Sequence, residues 1–444
     1  MLLFYHAQSG HPDPTEISGG LLPNGLPVDL IRDGSTGELK LAVLSGSSID
    51  AASSIRFESR EFIPVAVDPR LQCALTLPTH ASSHGSTETL FDATHGVFTR
   101  HGMSPEVADA AVYFVFCTWF PERCSPAPCL VITGPSPEAA LLLQILGCVV
   151  RRGLPMVQIG SNGFCEVAER LRPTLLVDGR RLSRGSLRLL SSCGPRAYIP
   201  WKESVADFGL AKAIYVGAIP IAEFSPDFSL EVHLSPSRAS VRVLDEKTRA
   251  QITADFQPKF LDYRLRKFAA VRDSTFDLPG LDSEGRVIAQ MLGSCVVGCK
   301  KIQDGIRHLL RHRDRELRAE RWTDVNCVVI EVLLAGCHGP SPGDQPSNGD
   351  ASKGLRVNDI AKRAEVLLKG RAAPAKLEPR AVGSLLDRLG LYRKRDARGF
   401  RVLLTPKIRR RIHQLASDHQ VEAIRDRGLR CDLCKEILDG AQVE

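Results

Sequence analysis

No basic stretch followed by an apolar run opens this sequence, so no secretory leader is read and the chain is expected in the cytoplasm. Nor is any apolar run clean enough to cross a bilayer. Residues 129–150 are long enough, but Gly134-Pro135, Pro137 and Glu138 interrupt them, which reads as a buried strand and helix. There is no Gly-rich dinucleotide fingerprint, and spacing alone assembles no Ser/His/Asp or Cys/His set. The 13 cysteines are odd in number and scattered, which argues against a disulfide framework and for reduced, mostly buried thiols. "GSCVVGC" (293–299) falls within a helical pattern and reads as core.

What is present is an ordinary globular balance, 43% apolar and 25% charged over 444 residues, enough for a sizeable core and two to four domains. The net charge of +7 is unevenly placed. Residues 353–420 hold 18 Lys and Arg against 6 Asp and Glu, an excess of 12 positive charges, so the rest of the chain is net negative. A local excess of that size points to an acidic partner such as nucleic acid; the plainer reading is a solvated basic surface.

Residues 1–87 are rich in Gly, Pro and Ser with short strand-like pieces. "LPVDLIRD" and "LKLAVLSG" predict a hairpin around "GSTGE". "PTHASSHGST" (78–87) reads as a connector whose two histidines face solvent. From residue 88 strands and helices alternate: a helix over 104–120 capped by Ser104 with Pro105 following, a strand over 127–133, a helix over 137–152 burying Ala139, Leu142, Leu143, Leu146 and Val150, then "LPMVQIG", "FCEVAERL" and "PTLLVDG". Such alternation predicts an α/β domain over 88–225, a parallel sheet with helices on both faces. Residues 226–336 read as mainly helical, with a Leu261, Leu265, Phe268 stripe, Lys259, Asp262 and Arg266 on another face, and a last helix over 323–336. Residues 337–354, rich in Gly, Pro, Ser and Asp, read as a linker.

The stretch "CLVITGPSPEAALLLQIL" (129–146) has the outline of a phosphate-binding loop: strand, tight turn, helix. A working loop follows Gly-x-x-x-x-Gly-Lys-Ser/Thr, because glycines let backbone N–H groups turn inward, lysine reaches the phosphates and the hydroxyl ligates Mg²⁺. Counted from Gly134 and Pro135, the second glycine is Ala139, the lysine is Ala140 and the hydroxyl is Leu141. Ser136 is expected as the N-cap with Pro137 next, and Glu138 in the first turn would repel an anion. In "RPTLLVDGRRLS" Asp178 stands where a Mg²⁺-holding carboxylate belongs, but Gly179 replaces the acid that would position water. An isolated Asp178 at a strand end reads first as a cap or turn former, with catalytic use the lesser reading.

"PCLVITGP", "RPTLLVD" and "FQPKFLDYRLRKF" together resemble the P-loop primase–helicase-like proteins carried by phages, plasmids and genomic islands. The resemblance covers residues 90–340. It implies a P-loop fold and nucleotide hydrolysis coupled to work on DNA, while the chain departs from the family at the glycine, lysine, hydroxyl and second acidic positions.

Residues 355–420 read as helix, helix, basic hairpin, helix. Val357, Ile360, Ala364 and Leu367 share one face. Val382, Leu385, Leu386 and Leu389 share the next, between Pro379 and Gly390. Two short strands flank Asp396–Gly399, and Ile408, Ile412 and Leu415 point inward from the last helix. The segment resembles a winged helix-turn-helix. That resemblance implies that Arg380, Ser384 and Arg388 face bases and that Arg393, Lys394, Arg395, Arg398 and Arg401 meet phosphates. A small domain that docks onto protein is the alternative.

In the tail, 421–444, "CDLC" places Cys431 and Cys434 at zinc-ligand spacing with no second pair nearby. His413 and His419 are candidates to complete a site; free thiols are the alternative. No cofactor is expected, although ATP with Mg²⁺ at the loop and zinc at the cysteines are left open. Three readings of the chain stand: a DNA-associated accessory protein with a catalytically degenerate P-loop-like domain, an active DNA-dependent ATPase, and a protein-interaction scaffold.

Overall fold

The computed structural model describes residues 14–156, 167–191, 198–201, 204–207, 209–217, 228–236, 243–279, 281, 283–338, 354–373, 376–397, 399–419, 421 and 431–440. The chain divides into two compact units, residues 1–311 and 312–444.

The first unit opens with two small sheets. One is antiparallel, in order β2 (Gly19–Leu21), β3 (Pro27–Arg32), β4 (Leu39–Ser45), β5 (Ser48–Ala52). The other runs β1 (Thr15–Ile17), β7 (Arg60–Pro64), β6 (Ile55–Phe57). The predicted hairpin is the β3–β4 pair, whose turn is tied by Asp33 Oδ1 accepting from the Ser35 and Thr36 amides at 2.8 and 3.1 Å.

A short helix α1 (Pro69–Ala74) leads to α2 (Thr87–Arg100) and α3 (Pro105–Thr118), the latter capped by Ser104 as expected. Then come β8 (Cys129–Thr133), α4 (Ser136–Val149), β9 (Gly153–Met156), β10 (Thr174–Asp178), α5 (Arg184–Ser191), the hairpin β11 (Tyr198–Trp201) and β12 (Ser204–Asp207), β13 (Lys212–Gly217) and β14 (Ser229–His233). Five of these strands form one parallel sheet in order β14-β8-β13-β10-β9. Numbered by appearance, that is 5-1-4-3-2. β8 therefore lies inside the sheet, second from its β14 edge, and delivers its carboxyl end between those of β14 and β13. Its residues 129–132 are fully buried, as a strand covered on both faces requires. The second half of "LPMVQIG" lies outside the described residues.

The expected buried face of α4 is wider than one stripe. Leu141, Ile145, Cys148 and Val149 are buried as well as Ala139, Leu142 and Leu146, because the helix is enclosed rather than laid on a surface. α6 (Glu246–Arg272) packs along it. The carbonyls that α4 leaves unpaired at its end are taken by side chains: Gln257 Nε2 donates to Cys148 O and Val150 O at 3.0 and 2.8 Å, and Trp119 Nε1 donates to Val149 O at 3.0 Å. α7 (Ser283–Cys295) and α8 (Lys300–Thr323) follow.

The second unit contains α9 (Val325–Cys337), β15 (Leu355–Arg356), α10 (Val357–Gly370), α11 (Pro379–Arg388), β16 (Arg393–Asp396), β17 (Gly399–Val402), α12 (Pro406–Asp418) and α13 (Asp432–Gly440). β15, β17 and β16 make a three-stranded antiparallel sheet in that order. Val357, Ile360, Ala364, Val382, Leu385, Leu386, Ile412 and Leu415 are buried in one core with α9.

Candidate functional site

At the carboxyl edge of the parallel sheet the chain leaves β8 through Gly134 at φ +108°, a conformation side chains rarely adopt. A Cβ there would collide with the Leu234 carbonyl, because the segment after β14 crosses directly over the turn and its amide donates to Thr133 O at 2.9 Å. Tyr215, at the end of β13, donates its hydroxyl to Gly134 O at 2.9 Å.

Ser136 is not the cap that the sequence suggests. The helix begins at Ser136, with Pro135 in the cap position and no side-chain cap, because the Ser136 hydroxyl accepts from Arg180 instead. Ala139 and Leu141 point into the core, Glu138 is buried, and Ala140 is half-buried.

Asp178 sits at the end of β10, as its strand-end position requires. Arg180 grips both of its carboxylate oxygens, Nε to Oδ1 at 2.8 Å and Nη2 to Oδ2 at 2.5 Å. The same guanidinium lies over the Tyr215 ring, 5.2 Å from its centroid. The hydrogen bond to Asp178 raises the Arg180 pKa further above its ordinary value. Thus one arginine bridges β10, the first turn of α4 and β13. A residue larger than glycine at 179 would bring its Cβ to 2.7 Å from the Tyr215 carbonyl, so the backbone here leaves no room for a second acid.

In the second unit, Arg380, Ser384 and Arg388 lie exposed along one side of α11. Ser384 Oγ donates back to Arg380 O at 3.3 Å. Lys394 and Arg395 are exposed on β16, and Tyr392 and Phe400 stand out beside them at 83% and 46% exposure. Those two aromatics were legible only as residues interleaved with the arginines of "LYRKRDARGF".

The eight predicted contact residues do not form one uniform set. Arg393 is half-buried. It binds Asp387 at 3.1 and 2.5 Å, lies over Phe400 at 5.1 Å and fills the space beside Gly383. Arg401 is half-buried against Asp396 at 3.4 Å, and Arg356 reaches the same carboxylate at 3.6 Å. Arg398 lies outside the described residues. A groove of about 410 Å³ also opens between α9 and α10, lined by Val332, Ala335, Val366 and Leu367 with Glu331, Lys362 and Arg363 at its rim.

The cysteine pair of the tail has neighbours that spacing did not reveal. Cys431 precedes α13 and Cys434 lies in its first turn. They meet His413 of α12 and His338, the residue that caps α9. His338 belongs to the stretch read as the start of a linker. His419 is not in this group.

One other polar group lies elsewhere than the sequence suggests. His84, expected in solvent, is buried, with Nδ1 2.5 Å from Asp262 Oδ2. Asp262, read on the same face as Lys259 and Arg266, is buried with it and also binds Arg266 at 2.6 Å. The segment "FQPKFLDYRLRKF" is likewise interior: Tyr263 donates to Cys295 O at 3.0 Å, and Arg264 is fully buried between Glu122 at 2.6 Å and Asp29 at 2.8 Å. Arg151 and Arg152 close on Asp29 from the other side. Burial pushes the Asp29 carboxyl up, but the three guanidiniums outweigh it and hold it well below the carboxylate range. Glu122 is held at about 2, with burial opposed by Arg264. Cys295 stays in the core as read, 3.7 Å from Cys124 and grouped with Cys117.

No protein-family model matches the chain, and no curated protein matches it either. Two solved structures are similar, both A-form apo structures of the C-terminal region of NrS-1. They share 8% and 7% identity, each with a TM-score of 0.33 over 85% of this chain and 96% of the other. A likeness of that size decides neither fold nor function. No described helix is long and apolar enough to cross a membrane.

Proposed function

We propose that the chain is a DNA-associated accessory protein. In this reading its second unit is a winged helix that touches DNA, and its parallel-sheet unit is a P-loop-like domain without nucleotide chemistry. The observation that carries the reading is the joint exposure of Arg380 and Arg388 on α11, of Lys394 and Arg395 on the hairpin, and of Tyr392 and Phe400. α11 would enter the major groove and the hairpin would lie on the backbone. Lys394 and Arg395 would neutralise phosphates, while Arg393 mainly holds the hairpin to α11 through Asp387.

For the first unit, support comes from Arg180. It lies across the turn where phosphate oxygens would need backbone N–H groups, a lysine and a hydroxyl, and it engages Asp178, the carboxylate a Mg²⁺ would need. A phage or mobile-element origin rests on the primase–helicase-like resemblance of the sequence alone.

The test uses the full chain and a labelled random duplex. Lys394→Ala with Arg395→Ala should weaken binding on every sequence and reduce the salt slope by about 2, one per phosphate contact. Arg393→Ala should lower the melting temperature as well as affinity. A double variant that keeps wild-type affinity and slope would make the wing assignment wrong, and the α9–α10 groove would then become the surface to pursue as a protein-docking site.

A further inference from the structure

The side chains of His338, His413, Cys431 and Cys434 converge from α12, the start of α13 and, 75 positions before His413, the end of α9. His338 Nε2 is 3.2 Å from His413 Nε2 and 3.2 Å from Cys434 Sγ, and Cys431 Sγ is 3.3 Å from His413 Nε2. All four ligand atoms lie within 4.8 Å of one another. In a tetrahedron with metal–nitrogen bonds near 2.0–2.1 Å and metal–sulfur bonds near 2.3 Å, neighbouring ligand atoms stand about 3.3–3.8 Å apart. The three closest contacts lie at or just under the length of such edges, so a slight spreading of the four groups would admit the ion.

The ring orientation agrees. His413 Nδ1 is 2.8 Å from Arg409 O, a carbonyl that can only accept, so the ring proton is on Nδ1 and the Nε2 lone pair faces the other three groups. Arg409 is itself fixed by donating to Leu404 O and Cys337 O at 3.2 and 2.9 Å. Cys434 and His413 are buried and His338 and Cys431 half-buried, and four side-chain ligands fill a tetrahedral set with no position left for water.

We infer that these four residues form a closed, structural zinc site. Two thiols would each release a proton and the two thiolates would neutralise Zn²⁺, so the buried site would carry no net charge. Its role would be to pin α13 and the end of α9 onto α12. This inference is independent of DNA binding.

The test is zinc content of the full-length protein, purified under reducing conditions, by mass spectrometry. About one zinc per chain is expected. Cys434→Ser and His413→Ala should lose it, and His419→Ala should keep it. Should the ligand variants fail to fold, the wild type still decides the matter: replacing its metal with Co²⁺ should give the visible absorption of a tetrahedral cobalt thiolate. Zinc-free wild type that gives no cobalt spectrum would overturn the site and leave a hydrogen-bonded apo cluster. A Cys431–Cys434 disulfide under reducing conditions would also overturn it. Full zinc in His338→Ala would overturn the four-ligand assignment.

Discussion

At the residue scale, the most consequential groups are charges that the sequence scatters and the fold buries together. Asp29, Arg151, Arg152 and Arg264 form one buried network linking β3, the end of α4 and α6, with Glu122 joining it from the solvent side. Breaking such a network from one side is costly because it strands a charge away from water. Its pH dependence has a definite sign. Glu122 titrates near 2 in the folded chain against 4.5 when free, so the folded state binds that proton less readily. The stabilisation is complete above pH 4.5 and is lost as pH falls through about 2. Denaturant midpoints measured across that window should fall steeply for the wild type. Glu122→Gln should flatten the fall, at a cost of only about 1 kcal/mol at neutral pH, because Glu122 reaches solvent and Arg264 keeps its pairing with Asp29. Equal slopes would contradict the assignment.

At the element scale, the turn after β8 is explained by packing alone. Gly134 is needed because the chain after β14 crosses it, irrespective of any ligand. Gly134→Ala is therefore expected to destabilise the protein by about 1–3 kcal/mol, read as a lowered melting temperature, with DNA affinity unchanged once folding is allowed for. The strands 129–133 and 174–178, and the apolar faces of α10, α11 and α12, were legible because period and capping are local signals. What was not legible depends on contacts far apart in the chain. Arg151 meets Asp29 122 positions away, and His338 meets Cys434 across 96, from a stretch whose Gly and Pro content pointed to a linker. His84 was misplaced for the same reason: its neighbours suggest a loop, and only its pairing with Asp262 buries it. The basic hairpin was visible as charge, but the roles of Arg393 and Arg401 as struts were not, because like residues on a hairpin look alike until their partners are known.

At the scale of the whole molecule, the account separates two tasks between two units. One holds a parallel sheet with Arg180 lying across the turn between β8 and α4; the other carries an exposed cationic face. The central claim is that DNA contact resides in the second unit and is indifferent to nucleotide. Titration of salt into a complex of the full chain with a random duplex, with and without ATP and Mg²⁺, tests it most directly. The account predicts a clear negative slope of log affinity against log salt, reduced in the variant combining Arg388→Ala, Lys394→Ala and Arg395→Ala and unchanged by ATP. Binding that shifts with ATP, or a triple variant with the wild-type slope, would contradict it.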